Sequence, residues 1–325
     1  MQSLLLLPFV LAVLASAQST LPYVRTVLVA NGTFLENIHA TADGKLLITS
    51  LTTTSLLIVD PNAPTPMLST LFTVNDPNVN CLTGIDEYDP GKYAFNALNL
   101  TAATFTSYHA SVWKFELPAT PPYGTITPHK VVDLPTNEIV LANGLTARLL
   151  GHPDTVFIAN SAGSVRSVNI TSGTNQNVIV APELGPGTGG VPLGINGLHV
   201  RGLYLYYLNS GQRYAGRVPI RVNGTATGPF EVLATMPTGQ RGYDDFALDL
   251  HGRMWIASHP NSLDVVFQEN GTWRQVVVDT GLPSTALGPT STAFGRGSSA
   301  ERETLYMTTA DGILLAFNTT MISLA

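Results

Sequence analysis

Six stretches of this chain share one plan, and their spacing limits the fold more than anything else in the sequence. Each has a polar lead, a short apolar run, a turn and a second apolar run. They cover 35–50 (LENIHATADGKLLITS), 82–97 (LTGIDEYDPGKYAFNA), 142–160 (ANGLTARLLGHPDTVFIAN), 193–210 (LGINGLHVRGLYLYYLNS), 243–258 (YDDFALDLHGRMWIAS) and 289–309 (PTSTAFGRGSSAERETLYMTT). With Glu36, Thr83, Asn143, Asn196, Asp244 and Ser291 as lead positions, successive copies lie 47, 60, 53, 48 and 47 residues apart. Period-2 apolar spacing broken by glycine, as at Arg201-Gly202, marks a tight hairpin. Repeats of roughly 40–50 residues made of short strands are propeller blades. Six unrelated hairpins of a β-sandwich have no reason to keep this interval. We therefore expect an all-β, six-bladed β-propeller with four-stranded antiparallel blades, one domain over residues 18–325.

Composition agrees. After the first 17 residues no run of ten or more has helical periodicity with caps, and Gly (29) and Pro (22) are spread along the chain as frequent turns require. Charged residues make up 12%, the net charge is −6 and no basic cluster exists. That argues against nucleic acid as a partner, because phosphate neutralisation needs clustered Lys and Arg. Residues 1–17 (MQSLLLLPFVLAVLASA) form an apolar core too short to span a bilayer, ending in Ala15-Ser16-Ala17. Such a segment is a signal peptide, and no later stretch is long enough for a membrane span. Secretion, or residence in the secretory lumen, is the expected outcome. Asn31, Asn99, Asn169, Asn223, Asn270 and Asn318 each open an Asn-x-Thr sequon, the acceptor for N-glycosylation. Cys81 is alone, so no intrachain disulfide closes the ring. It reads as a small buried apolar residue. Closure must come from strand pairing, with 23–30 (YVRTVLVA) completing the last blade. The sequence carries no signal for oligomeric state.

The interval between the second and third leads is the longest. The excess, 99–110, reads as a loop over one face that brings Tyr108 and His109 to a pocket mouth, or as a solvated glycosylated loop. The Gly/Pro-rich segment 182–192 reads equally as a lid or as a long turn. His152 and His251 sit in turns and should face solvent.

In a propeller the innermost strands begin at one end of the central channel, so their lead residues converge there. Glu36, Asn143, Asn196 and Asp244 then supply two carboxylates and two amide oxygens. A hard-oxygen set of this kind suits Ca²⁺ or another divalent metal, with water filling the remaining positions. The same side chains could instead cap strand ends and hydrogen-bond neighbouring blades.

The order Glu…Asn…Asn-Gly-Leu…Asp resembles the senescence-marker-protein-30/gluconolactonase superfamily of six-bladed propellers. Its fungal secreted branch is similar over Phe34-Leu35-Glu36-Asn37-Ile38, Gly194-Ile195-Asn196-Gly197-Leu198, Asp244-Asp245-Phe246-Ala247, Pro289-Thr290 and Ala293-Phe294-Gly295-Arg296. The resemblance implies a divalent metal at the channel and hydrolysis of lactones or organophosphates. For the fungal branch it implies hetero-Diels–Alder chemistry in tropolonic sesquiterpenoid biosynthesis, joining a tropolone quinone methide to humulene. Two departures from the hydrolase pattern weigh against a simple lactonase. Asp245 stands where Gly commonly follows the metal Asp, and His39-Ala40 replaces the Trp after the first Glu.

A hydrolase would use the metal to polarise a carbonyl, with Asp244 or Asp245 activating water. A pericyclase would hold diene and dienophile together. Asp245, His39, His259 or Tyr243 would then promote loss of water to give the quinone methide. Phe34, Tyr108, Tyr243 and Phe294 would wall the pocket against a small apolar substrate. Arg296 would bind an acidic substrate group or pair with a carboxylate. His39 could equally be a satisfied channel-wall residue. A secreted propeller that binds a ligand without turnover is the third class, since fold does not settle function.

Overall fold

The computed structural model describes residues 21–101, 104–147, 152–188 and 191–324. The leader-like residues 1–17 lie outside the described residues. Within them the chain forms six four-stranded sheets arranged as the blades of a propeller. Blade 1 is Leu35–Ala40, Leu46–Ser50, Ser55–Val59 and Ser69–Thr73. Blade 2 is Cys81–Asp89, Lys92–Thr101, Thr106–Glu116 and His129–Asp133. Blade 3 is Ala142–Thr146, Thr155–Asn160, Ser164–Asn169 and Asn175–Val180. Blade 4 is Ile195–Arg201, Tyr204–Asn209, Tyr214–Pro219 and Glu231–Thr235. Blade 5 is Gly242–Leu248, Met254–His259, Ser262–Glu269 and Thr272–Asp279. Blade 6 is Pro289–Phe294, Thr304–Thr309 and Ile313–Asn318, and its fourth strand is Val24–Val29 from the start of the chain.

That last strand closes the ring. It pairs antiparallel with Ile313–Asn318, from Val24 opposite Phe317 to Val29 opposite Ile313. Sheet faces pack on one another between blades. Phe157, Val165, Leu198, Leu205, Tyr207 and Val218, all nearly inaccessible, fill one such interface between blades 3 and 4. At the Arg201–Tyr204 hairpin, Gly202 takes φ +60°, a conformation that other residues adopt at a cost.

The inner strands run side by side from one mouth of the channel, here called upper, to the other. In the first five blades their register slips at the lead position, between Leu35 and Ile38, Leu82 and Ile85, Ala142 and Leu145, Ile195 and Leu198, and Tyr243 and Phe246. Such a bulge re-aims side chains. The second residue of the bulge is glycine in three blades because backbones meet there. A Cβ on Gly84 would lie 2.4 Å from the Leu145 amide nitrogen, and one on Gly144 would lie 2.7 Å from the Asn196 carbonyl.

One sequence expectation is corrected here. Residues 99–110 do not form a loop across a face. Apart from 102–103, which lie outside the described residues, they continue the second and third strands of blade 2 as a long hairpin, with Asn99 opposite His109 and Thr101 opposite Thr106. Segment 182–192 is pinned where it is described: Asn209 Nδ2 donates to the Glu183 and Gly185 carbonyls, and Leu184 is buried.

Candidate functional site

The channel opens into a cavity at each mouth, and a tight layer separates them. The upper cavity has a volume of about 300 Å³. Its floor carries Glu36, Thr83, Asn143, Asn196 and Asp244, the lead residues of blades 1 to 5. Its walls are mostly apolar: Phe34, Leu51, Leu100, Phe105, Leu193 and Leu287. The lower cavity, about 610 Å³, is lined by the other ends of the same strands, with His39, Asp86, His199, Asp245, Phe294 and Arg296.

The candidate residues therefore divide. Glu36, Asn143, Asn196, Asp244, Tyr243, Phe34 and His259 share the upper cavity, whereas His39, Asp245, Phe294 and Arg296 belong to the lower one. The reason is strand geometry. A strand rises about 3.3 Å per residue, so His39, three residues beyond Glu36, is some 10 Å further down the channel. Tyr108 lines neither cavity and is 65% exposed; Phe105 from the same hairpin takes the wall position.

In the upper cavity, His259 Nδ1 donates to the Leu287 carbonyl at 2.8 Å and Nε2 lies 3.0 Å from Asp244 Oδ2. Both ring nitrogens face acceptors, which favours the imidazolium. Burial opposes that charge, but the hydrogen bond and charge of Asp244 and the Leu287 carbonyl outweigh it, and the His259 pKa is raised. Gly288 makes room for the ring, since a Cβ there would lie 2.0 Å from His259 Nδ1. Glu36 is buried beside Asp244 and Asp245, and burial followed by those two charges holds its carboxyl well above the usual carboxylate range. Asn196 donates to Ser210 Oγ at 3.0 Å, while its Oδ1 is buried without a hydrogen-bond donor.

Other polar groups at this floor are committed elsewhere. The Thr83 hydroxyl donates to the Ala142 carbonyl at 2.7 Å, and the Ser210 hydroxyl donates to the Tyr243 carbonyl at 2.6 Å. The Tyr243 hydroxyl lies inside blade 5, donating to Asp264 at 3.2 Å and accepting from Gln275 at 2.6 Å. Burial raises its pKa, so Tyr243 shapes the wall without offering an acid. Cys81 is buried, and burial pushes its thiol up to about 12.

The separating layer is held by Asp245. It accepts from Asn37 Nδ2, from Ser291 Oγ at 3.0 Å and from the Phe246 amide at 2.8 Å, with His199 Nε2 3.8 Å away. Burial outweighs these contacts and raises its pKa. Below it His39 Nδ1 meets Asp86 Oδ1 at 3.2 Å, and Arg296 donates to Glu87 Oε2 at 2.5 Å. Arg296 thus pairs with a carboxylate of the protein, the second of the two alternatives open in the sequence.

Among the described residues no group of three or more His, Cys, Asp or Glu side chains is arranged to ligate a metal. The upper floor nevertheless fits a hard cation chemically. It offers two carboxylates and two amide side chains, one of which, Asn196, has a buried Oδ1 that lacks a donor.

Sequence reasoning missed Leu51, Leu100, Leu193 and Leu287 as walls, and Asn37 and Ser291 as partners of Asp245. Ser291 was visible as the sixth lead. Asn37 was visible only as the residue after the first lead, within Phe34–Ile38.

The chain is a six-bladed propeller with an apolar-walled cavity over convergent oxygen-bearing side chains. No family model matches the chain. The chain is 27% identical over 310 residues to a Sarocladium schorii protein named "Putative hetero-Diels-Alderase asR5", covering 86% of this chain and 75% of the other. Solved structures similar to it include a calcium-binding regucalcin from Agrobacterium tumefaciens, at TM-score 0.59 and 14% identity over 90% of this chain and 92% of that one. Virginiamycin B lyase from Staphylococcus aureus matches at TM-score 0.57 and 12% identity, over 91% and 98%. One chain of a nidogen/laminin complex matches at TM-score 0.58 and 10% identity, over 87% and 92%. At these identities the structures establish the fold alone.

Proposed function

We propose that this chain is a secreted enzyme of secondary-metabolite biosynthesis whose upper cavity promotes an intermolecular hetero-Diels–Alder cycloaddition. The reactants are a tropolone quinone methide and a humulene-type terpene. The observation that carries the reading is His259 held over Asp244 at the floor of an apolar-walled cavity. Apolar walls collect two largely hydrophobic reactants, and holding them in register can lower a barrier by roughly 7–11 kcal/mol at best. The similarity to a protein named as a hetero-Diels-Alderase supports the choice of reaction.

The residues divide the work. The His259–Asp244 pair shares the Nε2 proton and, through Asp244 Oδ2, passes it to the leaving hydroxyl of a tropolone alcohol as the C–O bond breaks and water departs. The ring hydroxyl of the same molecule returns a proton to the pair through the same oxygen, leaving the neutral quinone methide. Asp244 and the Leu287 carbonyl keep the imidazole oriented through both transfers. Cycloaddition then forms one C–C and one C–O bond and expels nothing, so the protein needs only to position and to exclude water. Glu36, Asn143, Asn196 and Asp244 would hold a divalent cation such as Ca²⁺, which when bound supplies Lewis-acid polarisation of a carbonyl oxygen.

A metal-dependent lactone or ester hydrolase is the second reading, favoured by the donorless Asn196 oxygen beside two carboxylates. The two are separated by incubating purified protein with a tropolone alcohol plus humulene and, separately, with simple lactones and esters. Stereocontrolled adduct without lactone turnover is the expected result. Chelator-sensitive lactone turnover that is lost in Asp244→Asn, with no adduct, would overturn it. Saturable binding of either ligand without turnover would place the chain among non-enzymatic propellers.

A further inference from the structure

Strand direction gathers four of the six sequons on one rim. Each inner strand starts at the upper mouth, so the third strand of a blade also runs downward, and the turn into the fourth strand lies on the lower face. Asn169 is the last residue of the third strand of blade 3, and Asn318 is the last residue of the third strand of blade 6. Both sit opposite the first residue of the second strand of their blade, Thr155 and Thr304. Asn223 lies four residues beyond the third strand of blade 4, and Asn270 directly follows the third strand of blade 5. One sequon thus lies at the lower end of the third strand in four successive blades, in the turn into the fourth strand in blades 3 to 5 and at the start of the C-terminal residues in blade 6.

The local geometry at these turns leaves room for a substituent. Asn270 and Gly271 take φ +49° and +79° in a two-residue turn between the paired Glu269 and Thr272, and Asn270 is exposed. Asn223 and Asn318 are also exposed. Their Oδ1 atoms accept the amide and the hydroxyl of the sequon threonine, at 3.1 and 2.8 Å from Thr225 and at 3.1 and 2.7 Å from Thr320. Asn169 Oδ1 accepts from the Thr171 and Ser172 amides at 3.0 and 2.8 Å. These bonds engage Oδ1 and not Nδ2, the atom that would carry a glycan. In blade 1 the corresponding turn presents Asn62, but Ala63 and Pro64 follow it, and its Nδ2 donates to Glu301. Asn99 differs as well. Like Asn169 it is half-buried, but it lies within the long hairpin of blade 2, opposite His109, and not at the lower end of a third strand.

We propose that Asn169, Asn223, Asn270 and Asn318 carry N-linked glycans that form a collar along the lower outer rim of blades 3 to 6. Turns between third and fourth strands lie at the perimeter, furthest from the channel axis, so the collar shields that edge from protein contacts and leaves the upper mouth open. In the modification, asparagine Nδ2 forms a bond to the anomeric carbon of an oligosaccharide. The bond from that carbon to a polyprenyl-diphosphate carrier breaks, and the amide proton leaves with the carrier. The inference rests on the secretory role of residues 1–17 and is independent of the reaction in the upper cavity.

The test is the full chain expressed with its own leader in a fungal host and recovered from the medium. Enzymatic deglycosylation in ¹⁸O-water followed by peptide mass spectrometry is expected to mark all four asparagines. Each Asn→Gln change should lower the apparent mass of the secreted protein by one step. Two or more of the four unmodified, glycans confined to Asn31 and Asn99, or an unglycosylated protein retained in the cytosol would each overturn the collar.

Discussion

Asp244 and Asp245 are neighbours in sequence and serve opposite ends of the channel. Asp244 meets His259 in the upper cavity, whereas Asp245 ties blade 5 to Asn37 of blade 1 and Ser291 of blade 6. Their isosteric changes should therefore separate activity from stability. Asp244→Asn is expected to lower turnover about 10²-fold or more while folding normally, because it removes the partner of the catalytic ring. Asp245→Asn turns an NH₂ toward donors and should cost about 1–3 kcal/mol of stability, with most of the activity kept at low temperature. Urea unfolding beside adduct assays checks both. Equal effects on both quantities in the two variants would contradict the division.

Glu36 sets a pH dependence of known sign. Its raised pKa means that the folded state keeps a proton the unfolded chain has released. Stability must then fall as pH rises from the ordinary glutamate range to the folded-state pKa. Glu36→Gln should flatten that slope in chemical denaturation measured at several pH values. Calcium added to the wild type is expected to release protons and raise Tm, since ligands must be deprotonated to bind. Neither response should survive in Glu36→Gln.

The His259 imidazolium is expected to persist above the usual histidine range, because Asp244 and the Leu287 carbonyl overcome its burial. A raised histidine pKa contributes stability that is complete below the unfolded value, near 6.5, and is lost as pH rises through the folded value. Ring titration by NMR should show that folded value dropping in Asp244→Asn. An unchanged titration would mean that Asp244 is not the partner in solution.

Gly197 sits where blades 4 and 5 touch. A Cβ there would lie 2.2 Å from Asp245 Oδ1 and 2.7 Å from its Cα. Gly197→Ala should cost about 3 kcal/mol or more, the upper range for overpacking, because rigid backbone has to move. Gly202→Ala meets no atom within 4 Å and should cost only the strain of its positive φ. Thermal melts of the two variants make the comparison.

The architecture was legible in the sequence because each blade is a local unit. Alternating apolar residues, a turn and a repeat near 50 residues determine four strands without help from distant residues, and the orphan strand at 24–29 announced how the ring closes. The lead positions were legible for the same reason, each recurring at one phase of its repeat. The site itself was decided by tertiary structure. Whether a lead residue and a residue three or more positions further on share a cavity depends on the rise of a strand through a closed ring, and that sent His39, Phe294 and Arg296 to the far mouth, whereas Asp245 is turned away from Asp244 by the bulge between Tyr243 and Phe246. Phe105 took the wall position expected of Tyr108 because the segment is a hairpin, with Tyr108 exposed at a register shift in its ladder. His259 reached Asp244 because its strand pairs with the inner strand, Gly242 opposite His259, a register that the one-dimensional spacing does not specify. Local periodicity builds the blades; contacts between blades, and the depth of each side chain along the axis, exist only once the ring has closed.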